Sequence, residues 1–177
     1  QEYYLKHWKG PTYTVKIIDN FLDKTYFKSL QDNILGSEFP WFISPLTYKE
    51  EDSEKQLVHM AYKEHKPHSN LYDNLIPCLN KLKVFSIIRI KANLLPRSDK
   101  RIIYDFHMDI GGSPFNYKTA ILYMNTNNGV TIFKDSGEEI KSVENRMIIF
   151  PGDSQHAGTT NTDKDIPLRC LINFCYW

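Results

Sequence analysis

From residue 84 to the C-terminus the chain is a succession of short β-branched and aromatic runs cut by turn-forming clusters. That texture constrains the fold more than any other feature of the sequence. The runs fall at 84–95, 101–109, 118–125, 130–134, 138–143, 145–150 and 167–177. Between them stand Pro96-Arg97-Ser98-Asp99, Gly111-Gly112-Ser113-Pro114, Asn127-Asn128-Gly129, Asp135-Ser136-Gly137 and Pro151-Gly152-Asp153. These residue types tolerate left-handed backbone or pre-set a turn. Many short strands at this spacing predict a sandwich or jelly-roll barrel.

The upstream part has a different texture. Residues 13–18 are β-branched and predict a strand. Asp19-Asn20 supplies capping chemistry for a helix near 22–35, with Phe27, Leu30 and Ile34 on one face. Phe39-Pro40-Trp41-Phe42 reads first as core packing, with a substrate lid or a hydrophobic plug as the alternatives, and the polar stretch 47–56 as a loop. Ser69-Asn70 opens a second helix carrying Leu71, Leu75, Leu79 and Leu82 at helical spacing. The expected class is α+β, mainly β, with the two N-terminal helices packed on one sheet from outside. At 177 residues, one domain is expected. Residues 1–83 would be its helical support and 84–177 its β core.

Composition narrows the function. Twenty-two basic residues against twenty-one acidic ones leave a formal charge of +1, which argues against nucleic acid as the main partner. No apolar run approaches the roughly 18 residues of a membrane span. The opening Gln1-Glu2-Tyr3-Tyr4 has neither an apolar h-region nor an Arg-rich presequence, and the absent initiator Met suggests a trimmed start. Cys78, Cys170 and Cys175 form no CxxC pair and are odd in number. The pattern suggests a reducing compartment, so a soluble intracellular protein is expected.

The chemistry concentrates in Phe106-His107-Met108-Asp109. In a strand His107 and Asp109 share one face, while Phe106 and Met108 anchor the other. A second isolated histidine, His156, follows the Pro151-Gly152-Asp153 turn. Two imidazoles and one carboxylate make the facial triad that binds non-haem iron(II) and leaves positions open. Arg169 then begins an apolar strand in which Arg169, Leu171 and Asn173 share a face. A guanidinium there is costly to bury without an anion, and a dicarboxylate supplies one through paired hydrogen bonds. Tyr123 could add a phenolic donor to the same carboxylate.

Residues 84–177 resemble the double-stranded β-helix of the 2-oxoglutarate- and iron(II)-dependent oxygenases, in particular the prolyl 4-hydroxylase-like branch. The matching pieces are His107-x-Asp109, the Ile-Leu-Tyr-Met-Asn run at 121–125, Gly129-Val-Thr-Ile-Phe133, the Phe150-Pro151-Gly152 turn before His156, and Arg169. Arg-Ile-Lys-Ala-Asn at 89–93, Val143-Glu-Asn-Arg146 and Ile172-Asn-Phe-Cys-Tyr176 are similar to small bacterial and phage oxygenases of unassigned substrate. The resemblance implies His107, Asp109 and His156 as iron(II) ligands. It places Arg169 and Tyr123 on the 2-oxoglutarate tail, with Asn93, Thr131 and Asn173 lining the same pocket. Dioxygen would be the oxidant and the reaction a hydroxylation. A carboxylate at 109, in place of a small residue, leaves no coordination place for halide. The chain departs from the branch between His156 and Arg169, where a polar loop at 160–165 lengthens the gap.

Other readings stay open from sequence. His107 and Asp109 could be a surface pair on an edge strand, and His156 a turn histidine. Arg169 could pair with Asp105 or Glu144, and Tyr123 could be a barrel aromatic. His65-x-x-His68 lacks a second metal-binding pair and reads as solvated loop. The substrate could be a peptidyl proline or a small molecule, and a cupin-like metal-binding module would need no Arg169 at all.

Overall fold

In the computed structural model, which describes residues 14–44, 56–111 and 116–177, the strands pair antiparallel, mostly with partners distant in sequence. The first part comprises β1 (Lys16–Ile18), α1 (Lys24–Leu35), β2 (Phe42–Ile43), β3 (Leu57–Lys63), β4 (Lys66–Pro67), α2 (Leu71–Asn74) and α3 (Ile76–Leu82). There follow β5 (Ile87–Pro96), β6 (Lys118–Tyr123), β7 (Val130–Phe133), β8 (Glu139–Lys141), β9 (Met147–Pro151), β10 (His156–Gly158) and β11 (Leu168–Tyr176). The major sheet runs β1-β9-β6-β11-β5-β3-β2, with β4 paired to β3, and the minor sheet runs β10-β7-β8. Two isolated bridges, Ile103 with Thr159 and His107 with His156, lay residues 103–107 beside β10.

Both faces of the central strands are covered, so those strands are largely buried, with polar residues on one face only where they line the interior. On β6, Ala120 and Leu122 join the larger core while Ile121 and Tyr123 join a smaller one. On β11, Cys170, Ile172 and Phe174 turn to the larger core and Leu171 to the smaller. The larger core lies against the helices, through Phe27, Leu30 and Ile34 of α1 and Leu71, Leu75 and Leu79 around α2 and α3. The smaller core adds Phe133 and Ile140 from the minor sheet. Strand periodicity thus divides one sheet between a helix-covered outside and a barrel interior. This is the mainly β fold with N-terminal helices on one sheet that the sequence predicts.

Several local expectations are corrected. The cap of α1 is Asp23, which accepts from the backbone N–H of Thr25 at 2.9 Å and of Tyr26 at 3.2 Å, in place of Asp19-Asn20. The second helix is broken at Leu75 into α2 and α3. Pro77 is the cause: it has no N–H to donate, and its ring would meet the carbonyl one turn earlier. The stretch 101–109 is no continuous strand, because it pairs only through its two bridges. Phe106 and Met108 remain 39% and 38% exposed, so neither anchors an opposite face. Residues 57–63, given no element by the sequence, form β3 beside β5.

The hairpin from β3 to β4 turns at Glu64 and His65, both at positive φ, and leaves His65 and His68 exposed. Phe39 and Trp41 pack against the larger core, while Phe42 is 59% exposed. The expected loop at 47–56 lies outside the described residues except for Gln56, as do Gly112 to Pro114 and Tyr13. Among the described residues no helix is long and apolar enough to cross a membrane.

Candidate active site

The bridge between His107 and His156 is the geometric origin of the site. Each residue donates its N–H to the other's carbonyl at 3.0 Å. Directly paired residues project to the same side of a sheet, so both imidazoles face the cavity, His156 buried and His107 exposed at its mouth, with ring centroids 5.0 Å apart. Asp109 closes the group, and one ligand atom from each of His107, Asp109 and His156 lies within 4.8 Å of the others. Phe150 meets the His156 ring edge-on at 4.9 Å and holds it from behind.

The donor set fits a divalent metal. In each histidine Nδ1 lies 3.0 Å from the carbonyl two residues earlier, Asp105 for His107 and Ser154 for His156. Those carbonyls accept the ring proton, which leaves both Nε2 lone pairs for the interior. His156 Nε2 stands 3.4 Å from Asp109 Oδ2. The carboxylate is held in turn by Asn173 Nδ2 at 2.9 Å on Oδ2 and by Arg89 Nη2 at 2.9 Å on Oδ1. Burial alone would raise the Asp109 carboxyl, but the His156 and Asn173 hydrogen bonds and the Arg89 charge outweigh it and hold it well below the usual range. Burial works against a charged His156 as well, yet Asp109 more than compensates and raises its pKa.

A cavity of about 370 Å³ opens beside this group. Arg169, 1% exposed, lies at its wall with Leu171 and Asn173, while Cys170 and Ile172 point into the opposite core. The Arg169 guanidinium donates from Nε to Ser142 Oγ at 2.9 Å and from Nη2 to Thr131 Oγ1 at 3.1 Å, and its centre sits 5.7 Å over the Tyr123 ring. These partners are neutral, and neither Asp105 nor Glu144 is among them; Glu144 accepts from Gln31. Two glycines make the room. A Cβ on Gly129 would stand 2.6 Å from Arg169 Cδ, and one on Gly158 would stand 3.2 Å from Nη1. Burial disfavours the Arg169 charge, so a buried cation with neutral partners suits an anionic ligand.

The remaining predicted residues separate into two groups. Thr131 and Asn93 line the cavity, and Asn93 Oδ1 is buried with no hydrogen-bond partner, as at a wall awaiting a ligand. Asn173 lines the cavity too, but its amide is committed to Asp109. Tyr123 does not line it: fully buried, it donates to Thr131 Oγ1 at 2.8 Å and supports Arg169 from behind. Sequence reasoning gave no role to Arg89 and Lys91, which line the cavity with Asn93. The signal was present in Arg89-Ile-Lys91-Ala-Asn93, where polar and apolar residues alternate with strand period.

No family model matches the sequence, and neither does any curated protein sequence. Solved structures do match. An oxidoreductase of the 2OG-Fe(II) oxygenase family from Burkholderia pseudomallei is 14% identical, with TM-score 0.65 over 92% of this chain and 84% of its own. A Trichoplax adhaerens prolyl hydroxylase, solved with a hypoxia inducible factor peptide, is 14% identical, with TM-score 0.65 over 94% and 84%. The epimerase SnoN, solved with Fe3+, alpha ketoglutarate and nogalamycin RO, is 9% identical, with TM-score 0.64 over 92% and 78%. The chain therefore has the double-stranded β-helix fold of the 2-oxoglutarate- and iron(II)-dependent oxygenases. Within that fold its neighbours include prolyl hydroxylases as well as an epimerase.

Proposed function

We propose that this chain is an iron(II)- and 2-oxoglutarate-dependent dioxygenase that hydroxylates an organic substrate. The observation that carries the reading is the pairing of a His107-Asp109-His156 cluster with a fully buried, neutrally partnered Arg169 on the same cavity. A cupin-like metal module would need the first but not the second.

His107, Asp109 and His156 would hold iron(II), and Arg169 would take the distal carboxylate of 2-oxoglutarate. When bound, the ion and cosubstrate supply the oxidising chemistry with dioxygen, and 2-oxoglutarate leaves as succinate and carbon dioxide. The chain's own residues do the positioning. The Asp105 and Ser154 carbonyls fix the ring orientations, and Asn173 and Arg89 fix the carboxylate. Ser142 and Thr131 aim the guanidinium, and Ile121 and Leu171 give the cavity apolar wall that excludes water.

Protein loaded anaerobically with iron(II) should turn 2-oxoglutarate into succinate on admission of air, and His107→Ala should abolish this. Undiminished turnover in that variant overturns the assignment. The narrower reading, a prolyl hydroxylase, draws on the Trichoplax likeness. It predicts that proline-rich peptides gain the mass of one oxygen atom.

A further inference from the structure

The inner face of β5 carries two cations, of which the reading above employs Arg89 on Asp109 and leaves Lys91 without work. Arg89, Lys91 and Asn93 alternate toward the cavity, while Ile90 and Ala92 face the larger core. β5 is an interior strand, flanked by β11 and β3, where a lysine can reach water only through the cavity. Lys91 is half-buried, and its ammonium has no hydrogen-bonded or ion-paired acceptor among the described residues. Asp109, whose charge acts on it, is already engaged by Arg89, Asn173 and His156. Arg89 spends Nη2 on Asp109 and keeps Nε buried with no acceptor.

These groups stand at the metal end of the cavity. Lys91 is the direct sheet partner of Asn173, whose amide holds Asp109. Arg169 pairs with Leu95, four residues along the same strand, or about 13 Å. Its side chain is drawn toward the minor sheet by Ser142 and Thr131. The charged neighbours felt by Lys91 are Arg89 and Asp109, whereas Arg169 senses Tyr123 and Tyr104. With a divalent ion and a dianionic cosubstrate cancelling each other, the lining keeps three cations, Arg89, Lys91 and Arg169, against two carboxylates, Asp105 and Asp109.

We propose that Lys91, assisted by the unfilled edge of Arg89, is a substrate-recognition site for an anionic group, a carboxylate or a phosphate, borne close to the atom that is oxidised. The inference rests on the dioxygenase reading for its metal and cosubstrate. A strongly hydrated ammonium on a flexible stem suits either anion.

Protein saturated with Mn(II) and 2-oxoglutarate is titrated with inorganic phosphate, followed by 31P relaxation, and separately with acetate, followed by 13C relaxation. Saturable paramagnetic enhancement is expected for one or both anions, and the better ligand names the source of the charge. In Lys91→Gln the affinity should fall about tenfold or more, while Lys91→Arg should restore it. Absence of saturation in the wild type overturns the proposal, as does equal affinity in Lys91→Gln. Displacement of 2-oxoglutarate by the probe also overturns it, since Lys91 would then serve the cosubstrate. Failure of Mn(II) to bind would instead count against the dioxygenase reading. The same variants would then be read by amide chemical shifts in metal-free protein, where an unshifted Lys91 region sinks the anion site by itself.

Discussion

Along β11, Cys170, Ile172 and Phe174 turn outward into the helix-covered core, whereas Arg169, Leu171 and Asn173 turn inward to the cavity. The outward residues contact other apolar groups and need only the right volume. Two of the inward residues each meet particular polar atoms: Arg169 meets Ser142 and Thr131, and Asn173 meets Asp109. One strand geometry thus supports two kinds of constraint. Substitutions on the outer face should act on stability, and substitutions on the inner face on ligands.

The largest effect expected from breaking that division is on the outer face. Ile172 is fully buried between Ala92 and Leu122, its partners on β5 and β6. Ile172→Ala should cost about 2–5 kcal/mol of stability, read as a lower Tm, with the metal affinity of the folded protein unchanged. A matching loss of metal affinity at full occupancy of the fold would show that the two faces are not independent.

Arg169→Met should do the reverse. It removes a buried cation whose partners are neutral, so the stability of ligand-free protein should hold or rise. Affinity for 2-oxoglutarate should fall about 10- to 100-fold, the worth of a charge-assisted pair of hydrogen bonds. Calorimetry with the metal-loaded variant gives the affinity, and thermal melts of ligand-free protein give the stability. Unchanged 2-oxoglutarate affinity would remove Arg169 from the site.

The same division explains what was legible in the sequence. The outer-face pattern is written in residue type: the runs at 118–125 and 167–177 contain β6 and β11, and the run at 145–150 holds all of β9 but Pro151. The triad was legible because His107-x-Asp109 and His156 are chemically rare in such a context. β3 was not, since Leu57-Val-His-Met-Ala-Tyr-Lys63 has no clean alternation and its place in the sheet is decided by β5. His59 illustrates the difficulty: it is a buried core histidine, satisfied by the Pro40 carbonyl at 2.8 Å and Ser69 Oγ at 2.7 Å. The conformation of 101–109 was misread because the pairing that fixes His107 is a single bridge to His156, a long-range fact that no local pattern encodes. Tyr123 stayed open between a cosubstrate donor and a barrel aromatic because strand parity gives a direction but not a depth. The room for Arg169 depends on Gly129 and Gly158, whose meaning appears only when β7 and β10 meet β11 in space.

The finest test of the two faces is their response to pH. On the outer face burial pushes the Cys170 thiol far up and the Tyr176 phenol up to about 12, so neither titrates near neutrality. On the inner face the group that titrates is His156, with its pKa raised by Asp109. Its pKa in the folded, metal-free protein is raised, so its pairing with Asp109 contributes stability in full below about pH 6.5, the unfolded value, and loses it as pH climbs through the folded one. The depressed Asp109 carboxyl sets the acid edge: its contribution is complete above about pH 4 and is lost as acid protonates it further down. Metal binding runs the other way, because an ion needs the His156 Nε2 lone pair that the proton occupies. Metal affinity should therefore fall below the raised His156 value, by up to about tenfold per pH unit. Mn(II) titrations and metal-free melts between about pH 5 and about pH 8 should show affinity rising while the contribution of the His156–Asp109 pair to Tm declines. Affinity that stayed flat across that range would mean that the proton on His156 is not what the metal displaces, and that His156 is not a ligand.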